Sequence, residues 1–150
     1  MEQIGKYSIM IFISSILCYI HYISGSDYFS RFFIDNAILL GATLFAIHAA
    51  SIGILISQLV ILNKILPANF INTIKEIRKS FIEALSLLFI IIICAILVNG
   101  NKEKIDAIFD IISIRYMCYC LSLSSIMALL MIAVDSANAI LITFKNIAED

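Results

Sequence analysis

Phe81-Ile82-Glu83-Ala84-Leu85-Ser86-Leu87-Leu88-Phe89-Ile90-Ile91-Ile92-Ile93-Cys94-Ala95-Ile96-Leu97-Val98 carries a single charge in 18 residues. As a helix this stretch reaches about 27 Å, close to the roughly 30 Å hydrocarbon core of a bilayer. Further apolar runs extend over Ile4–Ile23, Phe32–Leu62 and Tyr116–Thr143. Hydrophobic residues make up 62% of the 150-residue chain, and the mean hydropathy is +1.04. The pattern predicts an all-α polytopic membrane protein, one domain over residues 1–150 with four transmembrane helices at about 4–23, 32–62, 81–98 and 116–143. Four spans and their connections consume nearly the whole chain, so no separate soluble catalytic domain is expected.

The first run has an apolar part of about 17 residues, Tyr7 to Ile23, longer than a signal-peptide core, and no small-x-small cleavage site follows it. It reads as a retained anchor. Ser24-Gly25-Ser26-Asp27 then punctuates the chain. The second run is long for a bilayer: the uncharged residues after Asp35 reach about 40 Å as a helix, which predicts tilt or extension past the headgroups.

Pro67, the only proline, breaks the pattern after Asn63-Lys64. From Asn69 to Glu83, Phe70, Ile74, Ile77 and Phe81 recur at helical spacing, with Lys75, Glu76, Arg78 and Lys79 on the other face. This predicts a short amphipathic elbow between spans 2 and 3, lying at the membrane surface or feeding directly into the third span. A second amphipathic segment holds Ile105, Ile108, Phe109 and Ile112 and leads into the last span.

Charged residues are only 14% of the chain and the formal net charge is -1, which argues against direct nucleic-acid binding. With both termini inside, Lys6, Lys64, Lys75, Arg78, Lys79 and Lys145 lie on the inner side. Arg31, Lys102, Lys104 and Arg115 lie outside. The bias predicts cytoplasmic termini and a cytoplasmic middle loop. The basic face Lys75, Arg78 and Lys79 is suited to anionic headgroups or to a cytosolic partner.

At 100° per residue the second span has two distinct faces. Ala42, Ala46, Ala49, Ala50, Gly53 and Ser57 form a ladder of small residues, which lets helix backbones approach closely in lipid. Two uses are open, packing within the monomer or a homo-oligomeric seam. Gly41, His48, Ser51 and Gln58 lie opposite. Imidazole, amide and hydroxyl groups are costly in hydrocarbon, so this face meets other helices or water, as interhelical hydrogen bonds or as the lining of a pore or cavity.

Asp135 sits in the last span among apolar and small neighbours, on one stripe with Ser124, Ala128 and Asn138. An intramembrane acid costs several kcal/mol unless paired, hydrated or protonated. It either contacts His48 or Gln58 or marks the boundary of the span. Asp35 opens the second helix, where a carboxylate favours the N-terminal dipole. Cys18, Cys94, Cys118 and Cys120 all fall within spans and read as small apolar residues rather than disulfides or a metal site. Cys118 and Cys120 project from nearly opposite sides of a helix.

The sequence contains no phosphate-binding loop, no HExxH, no GxSxG and no zinc-spaced Cys/His set. No catalytic, cofactor-binding or metal-binding residues are assigned, and an enzyme is not expected.

The order of short span, long small-residue-rich span, basic elbow, aliphatic third span and polar tail resembles small four-span membrane proteins of bacterial antiphage systems. The elbow Ile74-Lys75-Glu76-Ile77-Arg78-Lys79 before an aliphatic span is similar to membrane components of the Kiwa type. Gly41-Ala42-Thr43-Leu44 is similar to the lambda-type Rex exclusion membrane proteins. The resemblance is one of architecture over nearly the whole chain. It implies a homo-oligomer, a tetramer by analogy, in the bacterial inner membrane, acting as a sensor or scaffold of antiphage defence. It further implies a cytosolic effector partner that binds DNA. Two other readings stay open: an oligomeric ion-conducting pore that depolarises the membrane, lined by His48, Ser51, Gln58 and Asp135, or an accessory subunit of a transporter.

Overall fold

A computed structural model describes residues 2–24, 27–65, 70–99 and 111–149, all helical apart from Phe70. The helices are α1 (Glu2–Ser24), α2 (Asp27–Ile65), α3 (Ile71–Asn99) and α4 (Ile111–Glu149). Pro67 and the segment around Ile105 and Ile108 lie outside the described residues. Each helix outruns the apolar stretch that predicts it, because its flanks hold no proline or glycine run to stop it. The basic residues Lys75, Arg78 and Lys79 belong to the first turns of α3, which continues unbroken into Phe81–Val98. The elbow and the third apolar run are therefore one helix.

Among the described residues, three helices are long and apolar enough to cross a membrane, over Asp35–Ile61, Ile71–Val98 and Met117–Ile142. The apolar part of α1 is shorter, Ser8–Ile20.

Helix α4 is the central element. It packs along α1, α2 and α3, and α2 also packs along α3. Gly41 lies against Leu88 and Ile91, whereas His48, further along α2, meets Ser80, earlier in α3, so α2 and α3 run antiparallel. Ser14 contacts Met127 while Cys18 lies against Cys120, so α1 and α4 are antiparallel too. Cys94 of α3 faces Cys118 of α4. Thus Cys118 and Cys120 turn toward different helices, and all four cysteines are free thiols.

The interior is built from small side chains. Ala37, Ala84, Ala95, Ala128 and Ala133 are buried, together with Cys18, Cys94, Ser14, Ser122 and Ser125. Ile91 and Leu129 are the largest fully buried side chains. Small residues bring helix axes close, which is how helices gain dispersion contacts where lipid removes the usual hydrophobic gain. The exterior is the reverse of a water-soluble protein: Phe12, Leu39, Phe89, Ile96, Leu141 and Ile142 are all exposed. An apolar shell of this extent suits a lipid environment. Hydroxyls on that shell bond to their own helix, as Ser15 donates to the Ile11 carbonyl at 2.8 Å and Thr43 to Leu39 at 2.8 Å. Ser86 does the same to Ile82 at 2.8 Å, leaving each proton satisfied without water.

Candidate functional site

The inner face of α2 points at α3 and α4, where His48 finds its partners. His48 is fully buried (0% exposed). Its Nδ1 lies 2.8 Å from Ser136 Oγ, and its Nε2 lies 3.4 Å from Ser80 Oγ. Ser136 also donates its hydroxyl proton to the Ile132 carbonyl at 2.8 Å. With that proton committed, Ser136 Oγ accepts from His48 Nδ1–H, and in the neutral ring Nε2 is the acceptor that faces the Ser80 hydroxyl. One imidazole thus ties together three helices.

This bridge is the floor of a cleft of about 270 Å³, to which every helix contributes. Met10 of α1, Ile52 and Leu55 of α2, Ile77 of α3, and Met131 and Ile132 of α4 supply apolar walls. Glu76, Lys79 and Glu83 of α3 stand at the rim with Asp135 of α4. Glu76, Lys79 and Asp135 are exposed, while Glu83 is half-buried. On the same first turns of α3, Lys75 and Arg78 are exposed beside these rim residues. Among the described residues, no three His, Cys, Asp or Glu side chains converge to hold a metal ion.

Ser51 is buried and returns its hydroxyl to the Ile47 carbonyl at 2.9 Å. Gln58 is 6% exposed, and neither its Nε2 nor its Oε1 has a hydrogen-bond partner among the described residues. Asp135 shares the cleft with His48, but the bond to the imidazole comes from its neighbour Ser136. Gln58 is not part of the cleft lining, and Asn138 is exposed outside it. Lys75 and Arg78 are exposed and also lie off the cleft, whereas Lys79 belongs to its rim.

The small-residue ladder faces outward. Ala42, Ala46, Ala50, Gly53 and Ser57 are exposed, and Ala49 is half-buried. A Cβ built on Gly53 meets nothing within 4 Å, whereas one on Gly41 comes within 2.9 Å of Ile91 Cδ1. Of the two glycines, Gly41 packs inside the monomer and Gly53 does not.

Ser80, Ser136 and Met10 were not singled out by sequence reasoning, and Glu76 and Glu83 entered it only as part of the elbow. The hydroxyls carry no signal of their own, since serine recurs throughout these helices. A helical projection of α4 places Ser136 and Ala128 near Ser125 and Ile132, but only the register against α2 pairs it with His48.

Comparison with known protein families, curated proteins and solved structures finds no match to this chain. The described residues form an all-helical bundle with three helices suited to crossing a membrane and a cleft with apolar walls and a charged rim.

Proposed function

We propose that the chain is an integral membrane sensor or scaffold that works as a homo-oligomer in the bacterial inner membrane, with a cytosolic partner. The observation that carries the assembly is the outward face of α2. Ala42, Ala46, Ala50, Gly53 and Ser57 are exposed on it, and a Cβ built on Gly53 meets nothing within 4 Å. A second copy laid along this face gains the close backbone approach that small residues permit in lipid.

In this reading α1 is a fourth span, and the first turns of α3, where Lys75, Arg78 and Lys79 are exposed, are the proposed seat of the cytosolic partner.

The antiphage role, the DNA-binding nature of the partner and the tetrameric size rest on the resemblance in layout alone. Purification in mild detergent from the native cell, with light-scattering mass and identification of co-purifying proteins, tests the reading. A defined homo-oligomer that dissociates in Gly53→Leu supports it. An unchanged mass in that variant removes the seam.

The pore alternative draws less support from the geometry. His48 and Ser136 bond within the monomer, and the interior beside them is filled by Ala84, Ile91 and Leu129. A conductance in planar bilayers that Asp135→Asn alters would replace the scaffold reading with the pore.

A further inference from the structure

We infer that the seam between α1 and α4 binds a soft monovalent metal ion, Cu(I) or Ag(I), seated between Cys18 and Cys120 and reached past the methionines at the cleft. This goes beyond the assembly reading and stands apart from it, because every residue involved belongs to one copy of the chain.

Sulfur lines this seam along its length. Among the described side chains of α1, Met10, Ser14 and Cys18 are the buried ones, spaced a turn apart on a single stripe. Ser14 Oγ lies 3.6 Å from Met127 Sδ, and Cys18 lies against Cys120. One turn the other way, the antiparallel register carries Met10 toward Met131, and both line the cleft over His48. Isoleucine, leucine and phenylalanine make up much of the outward side of α1. They would pack a seam equally well, yet the buried stripe uses none of them.

The donor set chooses the ion. Thioethers and thiolates are soft ligands that favour Cu(I), whereas carboxylate, carbonyl and water suit hard cations. Structural zinc asks for four donors, and no three His, Cys, Asp or Glu side chains converge among the described residues. A monovalent d10 ion accepts a pair of sulfur ligands. Its entry exchanges one thiol proton for the metal, Cys–SH + Cu+ giving Cys–S–Cu + H+, while the second thiol completes the pair. The exchange leaves the net charge of the seam unchanged, which matters where lipid surrounds the helices.

The second cysteine pair is an internal control. Cys94 meets Cys118 on the α3–α4 seam, but α3 contains no methionine and neither thiol lines the cleft.

The test uses the reduced full chain in lipid nanodiscs, titrated anaerobically with Cu(I) against the chromophoric chelator bicinchoninate. A single ion per chain is expected. Cys18→Ser/Cys120→Ser should lower the affinity at least about a hundredfold, and Cys94→Ser/Cys118→Ser should stay within about threefold. Met10→Leu/Met131→Leu should slow loading at least about tenfold at unchanged equilibrium affinity, a split that loosened helix packing would not produce. Binding that survives without Cys18 and Cys120 overturns the inference. So does binding lost without Cys94 and Cys118, or loading at the original rate without the two methionines. Copper X-ray absorption of the unmodified chain decides without any substitution. A first shell of sulfur alone upholds the seat, and a nitrogen shell, which would place the ion at His48, overturns it. A Cys18–Cys120 disulfide trapped from native membranes overturns it too, since an oxidised pair has no thiolate to offer.

Discussion

The Nδ1 atom of His48 and the Oγ atom of Ser136 lie 2.8 Å apart although 88 positions separate them in the chain. The pair locks the register of α2 against α4, because a slip of one residue on either helix turns one partner away. Ser80 approaches the other ring nitrogen at the longer distance of 3.4 Å.

Removing the two hydroxyls should therefore have unequal effects. Ser136→Ala leaves a buried N–H without its acceptor and should lower stability by about 1 to 2 kcal/mol, while Ser80→Ala should cost less than about 1 kcal/mol. Unfolding in mixed micelles, followed by circular dichroism, measures both. Equal losses, or a larger loss for Ser80→Ala, would contradict the short bond to Ser136.

Gln58 presents the opposite case, a buried amide without partners among the described residues. Burying such a group unbonded costs a few kcal/mol. Gln58→Leu, close in volume and apolar, should raise stability by about 1 kcal/mol. A clear loss of stability would mean that the amide is bonded in the assembled protein.

The two glycines of α2 should separate fold from assembly. Gly41→Leu drives a side chain into the contact with Ile91 and Leu88 and should cost about 1 to 3 kcal/mol through overpacking. Gly53→Leu meets open space in the monomer and should leave monomer stability within about 0.5 kcal/mol while reducing oligomer mass. Parallel thermal melts and light scattering read the difference; the same response from both variants would show that the outward face is not a seam.

Topology is accessible through the first turns of α3. Lys75 is exposed, while Cys18, Cys94 and Cys118 are buried and should resist alkylation. A Lys75→Cys variant should react with a membrane-impermeant maleimide in inverted vesicles and not in intact cells. Labelling from the outside would reverse the assigned orientation.

The helices were legible in the sequence because apolar length is a local property. Ile91 and its neighbours need no partner to declare a span. Helix ends were less legible, since hydropathy registers only the apolar part of α3; of the two readings the pattern left open for Lys75, Arg78 and Lys79, the structure has them open the same unbroken helix. The two faces of α2 were also legible from the 100° period. Which of them turns inward was not, because small residues and polar residues both favour contact with protein in lipid. His48 resolves that competition through two serines on other helices. The cleft was least legible of all: Met10, Ser80 and Ser136 come from three helices, and nothing in their local sequence pairs them.

The central position of α4 has a consequence for biosynthesis. A chain emerges from the ribosome N-terminus first, so α1, α2 and α3 reach the bilayer before their common partner exists. Until α4 arrives, Ser14 lacks Met127 and His48 lacks Ser136, and both polar groups face lipid or whatever holds the nascent chain. The helix made after these three is the one that buries them, so a ribosome stalled before α4 leaves in the membrane a product with exposed polar groups, a ready mark for quality-control proteases.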